Sequence, residues 1–237
     1  MAISQTDFFK LANVKQHSQF QKFMEDTVLD KERRENFYRG CVKVDPQCVE
    51  EDTFRQYFEE FAAERKSNQQ DFTPQSITKL MAKLTDSNDK YSTGWTAYDS
   101  AAGTGAMILS KWKKERDKYF PWDYRPHTYL YFCQELSDIT IPYLIHNLAL
   151  RGMNAIVVHG DTLERTANQI YLIQNAKDDP LQFSSVNVMP HTDQIKDFFD
   201  ISEWKQDPIN HIEDELGSVV WNPLPGEKTI EYTLESE

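Results

Sequence analysis

The sequence predicts an α/β fold in which a largely parallel sheet follows a short helical segment, and three observations carry that prediction. The first is Tyr98-Asp99-Ser100-Ala101-Ala102-Gly103-Thr104-Gly105-Ala106-Met107, a run of small residues between a β-favouring stretch, Trp95 to Tyr98, and a helical one, Met107 to Lys114. Strand, turn of small residues and helix, in that order, open a nucleotide-type, Rossmann-like domain, because glycines let a ligand come close to the backbone. The second is a pair of further apolar runs, Tyr129 to Cys133 and Ala155 to Val158, followed by the acids Glu135 and Asp161. Short runs apolar on both faces suit buried parallel strands, whose carboxyl ends line a ligand site in doubly wound sheets. The third is helical spacing: Phe8, Phe9, Leu11 and Ala12, then Phe20, Phe23, Met24 and Val28 before the sheet, and Ile139, Tyr143, Leu144 and Leu148 between its second and third strands.

A chain of 237 residues has room for one substantial domain and an appendage. The polar stretch Lys66-Ser67-Asn68-Gln69-Gln70 divides it into a helical N-terminal segment, 1–68, and an α/β domain, 69–237. No apolar run approaches the ~20 residues that span a bilayer, and the N-terminus lacks a basic segment followed by an apolar one, so a cytoplasmic protein is expected. Cys41, Cys48 and Cys133 are too scattered for a disulfide framework, and the six histidines show no ligand spacing, so reduced thiols and no metal are expected. The net charge of −12 argues against a chain that holds duplex DNA by itself, because phosphate contacts need a basic face. The one dense basic run, Lys111 to Lys118, is interleaved with acids and reads as a solvated helix face.

Gln70-Asp71-Phe72-Thr73-Pro74 lies upstream of the glycine loop, and Cys133-Gln134-Glu135-Leu136 and His159-Gly160-Asp161-Thr162-Leu163 lie downstream. In order and spacing these segments resemble the S-adenosylmethionine-dependent adenine-N6 DNA methyltransferases, in particular the modification subunits of type I restriction-modification systems. The resemblance covers roughly Gln70 to Leu163 and implies a class I methyltransferase sheet with S-adenosylmethionine as cofactor. It also implies that Phe72 and Thr73 close over the methionine end of the cofactor, and that Asp99, Gly103 and Gly105 form the pocket floor. Glu135 would accept the ribose hydroxyls, and Asp161 the adenine amino group. Each has a structural alternative: Thr73 and Pro74 start a helix, Glu135 caps the helix from Asp138 to Leu150, and Asp161 caps a helix from Thr162 to Asn168.

The family continues with an Asn- or Asp-Pro-Pro-aromatic segment that holds the flipped target adenine. Here the strand-like run Phe183 to Val188 ends in Met189-Pro190-His191-Thr192. A thioether is a poor acceptor, so Met189 cannot supply the missing oxygen, although His191 offers a ring to stack on a base. The other candidate is Val219-Val220-Trp221-Asn222-Pro223-Leu224-Pro225, which keeps Asn-Pro late in the chain. Helices from Gln194 to Phe199 and Asn210 to Leu216 and an edge strand from Thr229 to Leu234 complete the reading. Three functions fit: a DNA adenine-N6 methyltransferase that needs a partner specificity subunit to hold DNA, a cofactor-binding or decoy protein of restriction-modification systems that has lost catalysis, and a methyltransferase for a different substrate.

Overall fold

In the computed structural model, residues 3–62 and 95–214 are described. Phe72, Thr73, Asn222 and the expected strand from Thr229 to Leu234 lie outside the described residues. The chain begins with three helices, α1 (Gln5–Ala12), α2 (His17–Thr27) and α3 (Lys31–Val44), followed by a short α4 (Arg55–Tyr57) that widens into a π-helical turn over Phe58–Ala62. Ser4 and Asp7 close a reciprocal capping box at the start of α1, and the Asp30 side chain accepts the Arg33 amide at the start of α3. The sheet follows as β1 (Trp95–Asp99), β2 (Tyr129–Glu135), β3 (Ala155–Asp161), β4 (Thr166–Gln174), β5 (Ser185–Val188) and β6 (Glu203–Trp204). Helix α5 (Ala106–Arg116) joins β1 to β2, α6 (Ile141–Leu150) joins β2 to β3, and α7 (Asp193–Phe198) follows β5.

Strand order is β1-β2-β3-β4-β5, with β6 beside β4. The pairs β1·β2 and β2·β3 are parallel, with Asp99 opposite Cys133 and Glu135 opposite His159. Parallel neighbours need a crossover, and α5 and α6 supply it. The sheet then departs from the largely parallel expectation, because β4 runs antiparallel to both β3 and β5. Residues Thr162 to Asn168, expected as helix, instead form a four-residue turn and the start of β4. Gly160 is the physical reason. A Cβ there would run into the Thr166 carbonyl, so the absent side chain lets β4 fold back against β3, at a point where the register shifts. Two smaller departures are the start of α6 at Ile141 rather than Asp138, and the non-helical course of 210–214 beside β5.

Side chains on one sheet face, including Tyr131, Cys133, Ala155 and Val157, share a single core with α5, α6 and the N-terminal helices, from Phe8, Phe20 and Phe37 to Ile108 and Leu148. The helical segment is therefore packed directly onto the sheet. The opposite face carries a smaller core of Ile156, Val158, Ala167, Ile170, Leu172 and Ile201, against which Phe132, Met189, Phe199 and Trp204 pack. All three cysteines are free and buried. The basic run on α5 is only partly a solvated face: Lys111 and Glu115 are buried as a pair 2.8 Å apart, and Lys113 and Arg116 both reach Glu50.

Two buried polar contacts fix the N-terminal helices to the rest of the fold. Arg34 of α3 forms a two-pronged ion pair with Glu213 at 2.6 and 2.8 Å, with the side chains 0% and 3% exposed, and also donates to the Val28 carbonyl. The His146 ring of α6 accepts from the Tyr38 hydroxyl at Nδ1 and donates from Nε2 to the Met24 carbonyl, both at 2.8 Å. Burial pushes the His146 pKa down to about 3, against the favourable Met24 bond. The unfolded chain therefore takes up a proton below about pH 6.5 that the folded chain cannot accept, and stability should fall on acidification from 6.5 towards 3, by at most ~1.4 kcal/mol per pH unit from this group. For Glu213, burial raises the carboxyl pKa but the Arg34 bonds and charge outweigh it, so this group too stabilises the fold above the carboxylate range and ceases to do so in acid. Arg34→Ala should cost about 3–5 kcal/mol in urea unfolding, because it strands a buried carboxylate, whereas Arg34→Met with Glu213→Leu should cost clearly less. A single variant no worse than the double would refute the buried pair.

Candidate active site

The loop after β1 is held from three directions. Within the loop, the Gly105 amide donates to the Ala102 carbonyl at 2.8 Å, and Gly103 and Gly105 adopt φ of 57° and 99°, which only glycine takes without strain. From β2, the Gln134 carbonyl accepts the Ala102 amide at 2.9 Å, and Glu135 Oε2 accepts the Gly103 amide at 2.8 Å. Beyond β3, the Thr162 hydroxyl meets the Ser100 carbonyl at 3.1 Å and Gln134 Oε1 at 3.0 Å. The carboxyl ends of the three parallel strands are thereby joined into one rim.

Three carboxylates stand on this rim. Asp99 accepts the Ala101 amide at 3.2 Å, and burial raises its pKa above the ordinary value despite that bond. Glu135 uses Oε2 on Gly103 and Oε1 on the Ser137 amide at 2.9 Å, so the helix it was expected to cap is replaced by the turn before α6. Asp161 Oδ1 accepts the Leu163 and Glu164 amides at 2.8 and 3.0 Å and thus caps the turn into β4. Among the described residues, and apart from its chain neighbours, no atom lies within 4 Å of a Cβ built on Gly103, whereas one on Gly105 would meet Leu144 at 3.0 Å. The loop is open at Gly103 and closed at Gly105.

The structure therefore brings together Asp99, Gly103, Gly105, Glu135 and Asp161. It does not bring Met189, Pro190 and His191 to them. Because β4 is antiparallel to β3 and β5 to β4, the end of β5 lies at the same sheet edge, but four strand positions from β1. At ~4.8 Å per strand this is about 19 Å. The Met189 amide bonds the Ile170 carbonyl at 2.8 Å, its side chain packs on the smaller core, and His191 stacks on Trp204 with ring centroids 3.8 Å apart while bonding Gln169. Burial lowers the His191 pKa. The expectation that this segment stands beside the glycine loop does not match its place in the sheet, because β2, β3 and β4 lie between β1 and β5.

Sequence reasoning overlooked the residues behind the loop. Asp52 lies in the segment before α4 and accepts the Thr104 hydroxyl at 2.5 Å, the Asn147 side-chain amide at 2.6 Å and the Phe54 amide at 3.1 Å. Burial raises the Asp52 pKa, and these bonds and the Arg151 charge oppose the rise. Arg151 is buried at the end of α6, where desolvation lowers its pKa to about 10. Its guanidinium donates to the Val49 and Cys48 carbonyls at 2.9 and 3.3 Å and to the Glu51 carbonyl. No local pattern marks these residues, since Asn147 sits beside His146 within a largely apolar helix.

The family model for N-6 DNA Methylase matches residues 50–197, a span that takes in Asp52, the glycine loop and all three rim carboxylates. This chain belongs to that family. The mixed sheet, with β1, β2 and β3 parallel and joined by crossover helices, fits an α/β methyltransferase fold. Among solved structures, the type I restriction-modification system methyltransferase subunit from Streptococcus thermophilus is 29% identical, over 39% of this chain and 18% of that chain, with a TM-score of 0.32. The match thus spans less than a fifth of that subunit. No curated protein matches the chain. Among the described residues, no helix is long and apolar enough to cross a membrane.

The loop geometry gives a direct expectation for this methylase-family chain. Gly105→Val should destabilise the fold by roughly 1–3 kcal/mol, from a branched residue held at positive φ and pressed on Leu144. Thermal unfolding measures it, and an unchanged midpoint would contradict the described loop.

Proposed function

We propose that the chain binds S-adenosylmethionine across the carboxyl ends of β1, β2 and β3, and that by itself it methylates DNA at a rate near background. One observation carries the cofactor reading: the Glu135 carboxylate is bonded to the Gly103 amide, so the ends of the first two strands form one pocket wall, with Asp161 on the neighbouring strand. In this arrangement Gly103 leaves room for the methionine part, and Glu135 has lone pairs remaining for ribose hydroxyls. Asp161 Oδ2, whose partner oxygen is used by the turn, takes the adenine amino group. Phe72 and Thr73, which the resemblance implies close over the cofactor, lie outside the described residues. Bound there, S-adenosylmethionine would supply an electrophilic methyl group on a sulfonium. The protein's task is then mainly to position a nucleophilic nitrogen.

The reading of weak catalysis rests on charge. The net charge of −12 opposes duplex binding by the chain alone, and the Met189-Pro190-His191 segment packs away from the loop and so supplies no orienting oxygen there. DNA is reached through a basic specificity partner, as expected for a component of a restriction-modification system. A second reading is an active adenine-N6 methyltransferase with Asn222 as the orienting amide. The position of β5 favours it, because Met189 does not take the place beside β1.

Calorimetric titration with S-adenosylmethionine, run beside methyl-transfer assays on unmethylated DNA, separates the readings. The wild type should bind the cofactor, and Asp161→Ala should weaken binding by about 1–3 kcal/mol. Affinity unchanged in a folded Asp161→Ala variant removes that residue from the site. Transfer by the chain alone should stay near background, and duplex DNA should bind no tighter than roughly 10⁻⁶ M at physiological salt. Strong transfer that vanishes in Asn222→Ala would establish the second reading instead.

A further inference from the structure

Thr104 stands between the two glycines of the loop yet is buried, so its side chain faces into the protein while Gly103 remains open. There its hydroxyl donates to Asp52 Oδ2 at 2.5 Å, across 52 residues of sequence. The Asn147 side-chain amide bridges the same pair, donating to Asp52 Oδ1 at 2.6 Å and to the Thr104 carbonyl at 2.9 Å. Asn147 is held in turn by Arg151, which donates to its side-chain oxygen at 3.1 Å, and by the Thr53 amide at 3.2 Å. Every contact onto the Asp52 carboxylate comes from a donor, so the ionised form suits the site.

We propose that Asp52 is a positioning residue for the glycine loop: through Thr104 and Asn147 it sets the backbone at Gly103 to Gly105 in the conformation that receives the cofactor. The segment before α4 thus acts as a strut behind the pocket, and the N-terminal part of the chain serves cofactor binding as well as the core. This rests on the cofactor reading for its functional meaning, whereas the strut itself is a property of the protein without ligand. Asp52 touches no part of the cofactor in this account. Its effect travels through the loop.

The test uses the full chain in four forms: wild type, Asp52→Ala, Thr104→Val and the double variant. Two quantities are read, S-adenosylmethionine affinity by calorimetry and hydrogen–deuterium exchange of a peptide covering 100–107. Each single variant should weaken cofactor binding by about 10- to 150-fold, the scale of one hydrogen bond to a charged group. The double variant should lose no more than the worse single, since both remove one interaction. Loop exchange should quicken in all three variants. Thr104→Val leaves the Asp52, Asn147 and Arg151 contacts in place, so it keeps the test valid if Asp52→Ala does not fold. Losses that multiply in the double variant, or loop exchange unchanged in Thr104→Val, would overturn the strut. If the wild type binds no cofactor, the cofactor reading falls, and loop exchange alone decides: faster exchange upholds the strut and equal exchange overturns it.

Discussion

A backbone amide and a carboxylate make the contact on which the rim depends. When Glu135 accepts the Gly103 N–H, the end of β2 is tied to the loop after β1, and the Gln134 carbonyl beside it takes the Ala102 amide. Bonds of this charge-assisted kind are about twice as strong as neutral ones. The loop needs such anchors because two residues at positive φ leave it few local preferences of its own. Thr162, reaching from the end of β3 to Ser100 and Gln134, extends the tie to the third strand. Three strand ends that would otherwise be separate become one surface with three acids on it.

The same loop is supported from behind by residues that belong to the helical part of the chain. Arg151 gathers the carbonyls of Cys48, Val49 and Glu51, and its loss of solvation is compensated by these acceptors. Asp52 is thereby delivered to Thr104. The Arg34–Glu213 pair and the Tyr38–His146–Met24 chain play a comparable part farther away, holding α2 and α3 to β5 and α6. The aromatic core of Phe8, Phe20, Phe37 and Phe54 supplies the bulk of the contact, and these buried polar links fix its geometry.

The parts of this architecture that were legible in the sequence are those encoded locally. Trp95 to Tyr98, Tyr129 to Cys133 and Ala155 to Val158 are short apolar runs, each followed by a polar residue, and each marks a strand. Gly103 and Gly105 mark the turn between the first strand and its helix. β4 was not legible, because Thr166–Gln174 mixes Asn168, Gln169 and Gln174 with its apolar residues, and its pairing with β3 and β5 makes it a strand. Met189 was misplaced for a topological reason: its distance along the sequence was suitable, but β5 lies beyond β2, β3 and β4 from the loop after β1. Asp52 was illegible for a related reason, since its partners Thr104 and Asn147 are distant in sequence and meet it only in the folded chain.

The central claim is that the cofactor pocket lies on the rim of β1, β2 and β3. Backbone amide NMR of the full chain, recorded as S-adenosylmethionine is added, tests it residue by residue. Shifts should concentrate on 99–105, on Glu135 to Asp138 and on Asp161 to Glu164, leaving 185–204 largely unmoved. Shifts centred on Met189, His191 and Trp204, with the glycine loop unchanged, would contradict the account.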